Sequence, residues 1–262
     1  MKATQIIIPY YAAEAQSDEL LYAIDGWFRF ACFPIEITFV GDWHPGLSNR
    51  NVRFYHLDRV KAEDFPGEYL PHIDISRKIN HGLSKLSSID KFPDDGFIVS
   101  PDDVFALRKF DLLDVMTTKA NIGSYDIASE DSPDPWNRDL YKTRQALKGV
   151  GYEPFFQFTT HTPRWYNTRR YLEIQQRFNC RNHSYVLEDL YFTGLVDKPS
   201  VVLQNEDAGP WRLRIAPQPY RTSRDIRRLI SWHEPKWACT TSDGWCQELE
   251  DVLDWLYYCK NI

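Results

Sequence analysis

A chain of 262 residues, 43% hydrophobic and 26% charged, can bury a substantial core and has the composition of an ordinary globular protein. Its formal net charge of −6 excludes a surface that coats nucleic acid indiscriminately, and no apolar run is long enough to span a bilayer. Five cysteines with no C-x-x-C pair fit reduced thiols rather than a disulfide framework. With an N-terminus lacking an apolar signal region, they lead to the expectation of a cytoplasmic protein. Aromatic residues are plentiful (9 Trp, 15 Tyr and 15 Phe), and aromatic faces are common where sugars or bases are held.

Gln5-Ile6-Ile7-Ile8-Pro9-Tyr10 predicts a buried first strand stopped by Pro9. Ser17-Asp18-Glu19 begins a helix that carries Leu20, Leu21, Ile24, Trp27 and Phe28 at helical spacing to about Phe30. Ile35 to Val40 alternates as a second strand, closed by Gly41-Asp42, and Val52 to Leu57 forms a third. Pro71 to Leu86 predicts a helix with Ile73, Ile75, Ile79, Leu83 and Leu86 on its apolar side, together with Asp74, Arg77, Lys78 and His81. This strand–helix–strand rhythm predicts an α/β fold with a mainly parallel sheet flanked by helices.

Beyond the strand Phe97-Ile98-Val99, the stretch from Ser124 to Pro135, with Asp126 and Glu130, reads as a surface loop. Trp136 to Lys148 reads as a helix ended by Gly149 and Gly151. Phe155 to Thr160 predicts a strand leading to His161-Thr162-Pro163. Helices come next from about Arg164 to Phe178 and from about Ser184 to Leu195, the second carrying Glu188 and Asp189. Val201 to Gln204 and Trp211 to Ile215 suggest a late strand pair, and Gln247 to Tyr258 a terminal amphipathic helix. Arg212, Arg214, Arg221, Arg224, Arg227 and Arg228 make this the basic part of an acidic chain, suited to phosphate. No repeat or linker interrupts the chain, so a single domain over 1–262 is expected, Arg-rich and less regular from about 200.

Asp102 and Asp103 fall where the strand Phe97-Ile98-Val99 ends, and ligands of open α/β sheets bind outside the carboxyl ends of strands. Two adjacent carboxylates there can hold a divalent cation, or Asp102 can cap a turn after Pro101 with Asp103 solvated. Glycine-rich phosphate loops, a G-x-S-x-G elbow and H-E-x-x-H are all absent, which removes support for kinase, dinucleotide, hydrolase and zincin readings. His161 shares the predicted strand-end position; its bland reading is structural, as an exposed acidic pair is for Glu188-Asp189 and a turn for Asp243-Gly244.

Four segments together resemble the Stealth family of capsular-polysaccharide hexose-1-phosphate transferases, related to N-acetylglucosamine-1-phosphotransferase. Ser17 to Ile24 with Ile37-Thr38-Phe39-Val40 is similar to the family's D-x-E-L-R-Y-S-L helix and strand. Leu70-Pro71, a helix and then Phe97 to Phe105 resemble its L-P segment leading to F-I-Y-x-N-D-D-V-F. Leu147, Gly151 and His161-Thr162-Pro163, then Phe178 and Glu188-Asp189, resemble its H-M-P segment and downstream acids. Lys236 to Asp243 is similar to K-F-x-C-x-N-D. The family's opening Y-T-W-V-D-G is replaced by Ile6 to Tyr11 and its first-helix arginine by Leu21. The arginine ahead of its acidic pair falls near Tyr185, with Arg181 as the nearest substitute. The Ile-Ile-Ile-Pro opening and the strand-end acids also resemble GT-A glycosyltransferases.

The resemblance implies a GT-A-like enzyme using a UDP-sugar or other nucleotide-sugar donor. It implies Mg²⁺ or Mn²⁺ on Asp102 and Asp103, and a nucleotide held by Pro9, Tyr10, Tyr11, Asp42 and Arg77. His161 with Glu188 or Asp189 would act at a hydroxyl acceptor, a glycan in the first reading. Asp103 is counted among the catalytic set as well as the metal set. Sugar transfer and sugar-1-phosphate transfer both stay open. So do a non-saccharide acceptor such as a modified nucleic-acid base and a non-catalytic sugar- or nucleotide-binding module.

Overall fold

A computed structural model describes residues 2–13, 15–121, 129–194, 201–204, 208–215, 222–240 and 244–259. Asp126, Arg221 and Asp243, singled out above, lie outside the described residues. In chain order the strands are β1 (Thr4–Tyr10), β2 (Ile35–Gly41), β3 (Val52–His56), β4 (Phe97–Val99), β5 (Val104–Ala106), β6 (Lys119–Asn121), β7 (Arg164–Tyr166), β8 (Val202–Gln204), β9 (Arg212–Ile215) and β10 (Trp237–Thr240). The helices are α1 (Glu19–Phe30), α2 (Leu70–Ser88), α3 (Leu112–Met116), α4 (Pro135–Gly149), α5 (Thr168–Arg177), α6 (Leu187–Thr193), α7 (Ser223–His233) and α8 (Gln247–Asp254).

Five strands form a mixed, mostly parallel sheet in the order β3-β2-β1-β4-β7, with β7 antiparallel to β4. The chain moves outward from β1 to β3 and then returns to the other side of β1 with β4, so the order reverses between β1 and β4. Such a reversal opens a crevice at the carboxyl ends of the two strands. β1 is apolar from Ile6 onward because both of its faces are covered there. Ile7 packs with Val40, Ile79 and Leu83 under α2, while Ile6 and Ile8 pack with Leu20, Ile24 and Trp27 of α1. Truncating Ile7 to Ala would cost about 2–5 kcal/mol.

A second, three-stranded sheet in the order β5-β10-β9 lies beyond α1, with β10 antiparallel to β5 and parallel to β9. Phe105, Leu213 and Ala238 of this sheet join Leu249, Val252 and Leu253 of α8 and Ile226 of α7 in one apolar cluster. Asp102 and Asp103 form the turn between β4 and β5, and therefore sit on the seam where the chain leaves one sheet for the other.

Several sequence expectations are corrected. Pro9 does not stop β1: it pairs with Val40 and the strand runs on to Tyr10. Ile7 faces β4, since its carbonyl accepts from Ser100 N–H, so Pro9 two residues on faces the same side. The β4 pairing ends opposite Ile7, so the missing N–H costs no ladder bond. Phe155 to Thr160 is not a strand. Its polar backbone groups are taken by Arg164, Arg212, Asn121 and Asp189, leaving one isolated bridge from Gln157 to Asn121. Arg164 begins β7 rather than a helix, and the helix starts at Thr168, where the Asn167 side chain accepts from Arg170 N–H. The late segments do not pair with each other: β8 joins β6 and β9 joins β10. Among the described residues, the portion from about 200 supplies β8, β9, β10, α7 and α8.

Candidate functional site

β1 and β4 end side by side, and tight local contacts fix the chain just beyond each of them. Ser100 N–H donates to the Ile7 carbonyl (3.1 Å), and its hydroxyl accepts from Trp27 Nε1 (3.0 Å), anchoring the backbone just before Asp102 and Asp103. At the end of β1, buried Lys78 donates to the Tyr10 carbonyl (2.6 Å) and pairs with Asp74 (2.6 Å). Gly41, at φ +139°, ends β2 so close to β1 that a Cβ there would lie 2.0 Å from the Tyr10 oxygen; only glycine fits. Asp42 Oδ2 then accepts from Ala12 N–H (2.9 Å), tying the loop after β1 to the end of β2.

These anchors assemble an acidic wall. Burial pushes Asp103 up to about 7, the charge of Glu19 adding to the effect and Arg212 opposing it. Glu19, 5% exposed in the first turn of α1, is likewise pushed up to about 7 by burial and then by Asp102, against a bond from Gln16 N–H (2.8 Å). The Tyr10 hydroxyl is pushed up to about 12 by burial and then by Asp102, Glu19, Asp42 and Asp18. Tyr10, Glu19, Asp42, Asp102 and Asp103 thus feel one another's charge around the ends of β1, β2 and β4.

A basic group adjoins it, Arg212 acting on Asp103. Arg212 of β9 is 2% exposed and its Nη1 donates to the Thr160 carbonyl (2.7 Å), holding the segment that leads to His161. Arg164 Nη2 donates to the Phe158 carbonyl (3.0 Å), and its Nη1 to Glu188 Oε1 (2.8 Å). Surrounding protein, and then Arg212, Arg164 and Arg214, lower His161 to about 4, with Glu188 opposing. His161 nonetheless keeps a solvent-exposed face, beside the crevice that the strand order opens. Its backbone is left-handed at φ +43°, a strained conformation for histidine of the kind that clusters at functional sites. Cys239 ties the walls together: buried in β10, its thiol is pushed up to about 12 by burial, with Arg212, Asp103 and Arg214 acting on it.

Of the residues singled out in the sequence, Asp42 and Asp102 act on Tyr10 at the crevice beyond the strand ends, Arg212 acts on both Asp103 and His161, and Glu188 acts on His161. Pro9 lies below the crevice, inside β1. Tyr11 is at its side, with the Arg59 guanidinium 3.9 Å above the ring. Asp189 turns away: consecutive helical residues point about 100° apart, and Asp189 is 1% exposed. Its Oδ1 accepts from Phe158 N–H (2.7 Å), and burial pushes it up to about 7. Arg77 is exposed on α2 over Phe65, and the neighbouring Lys78 is the cation that reaches β1. The arginine group divides as well: Arg212 and Arg214 act on the cleft, whereas Arg224, Arg227 and Arg228 are exposed on α7, the last two over Trp255 and Trp232. Arg181 binds Asn80 (3.2 Å), and the guanidinium beside Glu188 comes instead from Arg164, 24 residues upstream.

Sequence reasoning missed Glu19, Arg164, Lys78 and Arg59 as site residues. Glu19 offered a signal, being an acid in the first helical turn after β1; Arg164 was masked by its place after a proline that reads as a helix start. Among the described residues no group of three or more His, Cys, Asp or Glu is arranged to hold a metal ion. Asp102 and Asp103 are the residues that could hold a divalent cation, and a positive charge there would offset the part that neighbouring acids, after burial, play in raising Asp103 and Glu19. No protein-family model matches the chain, and no curated protein sequence matches it. Among the described residues no helix is long and apolar enough to cross a membrane.

Proposed function

We propose that the chain is a GT-A-like transferase that takes a nucleotide-activated sugar, with UDP-sugars as the first candidates. It passes the sugar or its 1-phosphate to a hydroxyl of a glycan acceptor. The observation that supports this reading is that Arg212 acts both on Asp103, among the acids Glu19, Asp102 and Asp103 at the β1/β4 switch point, and on His161, beside Arg164 and Arg214. A diphosphate needs a cation bridge on one side and guanidinium charge on the other, and the cleft offers residues for both. A bound Mg²⁺ or Mn²⁺ on Asp102 and Asp103 would neutralise charge on the leaving pyrophosphate. Tyr11 and Asp42 are the residues for the base and ribose, and a base stacking on the Tyr11 face now covered by Arg59 would displace that guanidinium.

His161 is neutral at pH 7 and so serves as a proton acceptor rather than a cation, taking the acceptor hydroxyl's proton at a ring nitrogen. Glu188 favours the imidazolium that results, while Asp189 positions the segment before His161 through Phe158. Attack at the anomeric carbon breaks the bond to the diphosphate and releases UDP. Attack at the sugar-bearing phosphorus breaks the pyrophosphate and releases UMP. Incubation with UDP-sugars, Mn²⁺ and glycan acceptors separates the two by product, and either nucleotide, lost in Asp103→Ala, supports the reading. Donor binding without turnover, unchanged in that variant, would instead establish a binding module. The exposed arginines and Trp232 of α7 favour one further option, a nucleic-acid acceptor, which requires salt-sensitive DNA retention.

A further inference from the structure

A second concave site lies on the α2 side of the first sheet. It is a cavity of about 880 Å³ between the first turns of α2 and α4, within the size range of small-molecule sites. Its wall is fixed by a polar network centred on buried Ser184 and Asp139. Ser184 Oγ lies 2.6 Å from Glu68 Oε2 and 2.8 Å from Asp139 Oδ1, and its single proton serves one of them at a time. Ser184 N–H also donates to Glu68 Oε2 (2.7 Å), Lys142 pairs with the same oxygen (2.5 Å), His183 meets Oε1 (3.0 Å), and His72 Nδ1 meets Asp139 Oδ2 (2.6 Å). Glu68 and Asp139 are thereby locked in place before anything binds.

The lining is balanced, Arg59, Arg138 and Lys142 against Glu68, Glu130 and Asp139, so it offers no net charge to a phosphate or a free nucleotide. Beyond the locked Glu68 and Asp139 and the Lys142 ammonium, its polar groups are the Arg59 and Arg138 guanidiniums, the Glu130 carboxylate and the Gln145 amide, flat groups able to engage two hydroxyls at once, and they stand beside the rings of Tyr69 and Tyr141. Aromatic faces with flat hydrogen-bonding pairs and no net charge suit a polyhydroxylated, uncharged ligand. Arg59 lines this cavity and also stacks on Tyr11, so the rim lies one side chain from the end of β1.

The geometry points to a subsite for a neutral oligosaccharide, the sugars of the acceptor that lie away from the reacting hydroxyl. Its role as an acceptor subsite rests on the transferase reading; its binding of saccharide does not. The test is saturation-transfer NMR and calorimetry on the full chain with maltotriose, chitotriose and mannotriose, beside separate titrations with UDP and Mn²⁺. At least one trisaccharide binds, and Tyr141→Ala and Arg138→Gln each weaken it tenfold or more, with thermal midpoints and UDP affinity unchanged. No binding by any of the three, or binding that survives both substitutions, overturns the subsite. UDP failing to bind while a trisaccharide still does would remove the donor reading and leave the saccharide site standing.

Discussion

The cleft at the strand ends and the cavity at the helix ends both gather carboxylates, and they treat them oppositely. At the cleft, burial and acidic neighbours push Asp103 and Glu19 up to about 7. At the cavity, burial alone would raise Glu68, but bonds from Lys142, Ser184 and His183 outweigh it and bring the group down to about 2. A carboxylate whose charge is already answered serves as wall, fixed in one ionisation state. One whose charge is answered only in part is open to a cation, and on that difference rests the proposed division between donor chemistry at the cleft and hydroxyl recognition at the cavity.

The sharpest way to break this comparison is to remove the charge at the cleft. Asp103→Asn should lower transfer roughly 10²–10³-fold, the scale of losing one electrostatic contact made at a developing charge. It should leave trisaccharide binding at the cavity intact, with both read in the same preparation. Next in size is Arg164→Met, which strands Glu188 and frees the carbonyl of Phe158. Breaking a largely buried pair of this kind costs about 3 kcal/mol, read as a lower urea midpoint.

Opposite pH responses sharpen the comparison further. Asp103 is raised in the folded state, so its contribution is fully present below its ordinary value of 3.8 and is lost as pH rises through about 7. Glu68 is depressed, so its contribution is present above its ordinary 4.5 and is lost as pH falls through about 2. In metal-free buffer the thermal midpoint of the wild type relative to Asp103→Asn should therefore fall from pH 4 to 7. The midpoint relative to Glu68→Gln should fall from pH 4.5 toward 2. Slopes of the same sign would dissolve the distinction between the regions. The smallest effect belongs to Arg227→Ala: exposed on α7 and away from both sites, it should shift stability by less than about 0.5 kcal/mol and leave UDP affinity unchanged.

The first half of the fold was legible because each element there obeys a local rule. Ile6 to Ile8 read as a strand covered on both faces, and Leu20, Ile24 and Trp27 as one helical stripe, and both are so. The second half was harder because side chains replace backbone ladders. Phe155 to Thr160 has the β-rich composition of a strand, yet Arg164, Arg212 and Asn121 take its carbonyls, and the last two are far away in sequence. β7 and β8 are three residues each, too short for a period to show. At the site, the acidic pair could be located because it comes directly after an apolar run. Its opposing arginines could not be sorted, since Arg212 and Arg227 differ only in what the fold buries.

Calorimetric titration of UDP at pH 7.5, with Mn²⁺ and then with EDTA, tests the central claim most directly when run on the wild type and on Asp103→Asn. Binding that requires Mn²⁺ and is lost in the variant is the expected result. UDP binding of equal strength in EDTA, or undiminished in Asp103→Asn, would contradict a cation-bridged diphosphate at the seam of the two sheets.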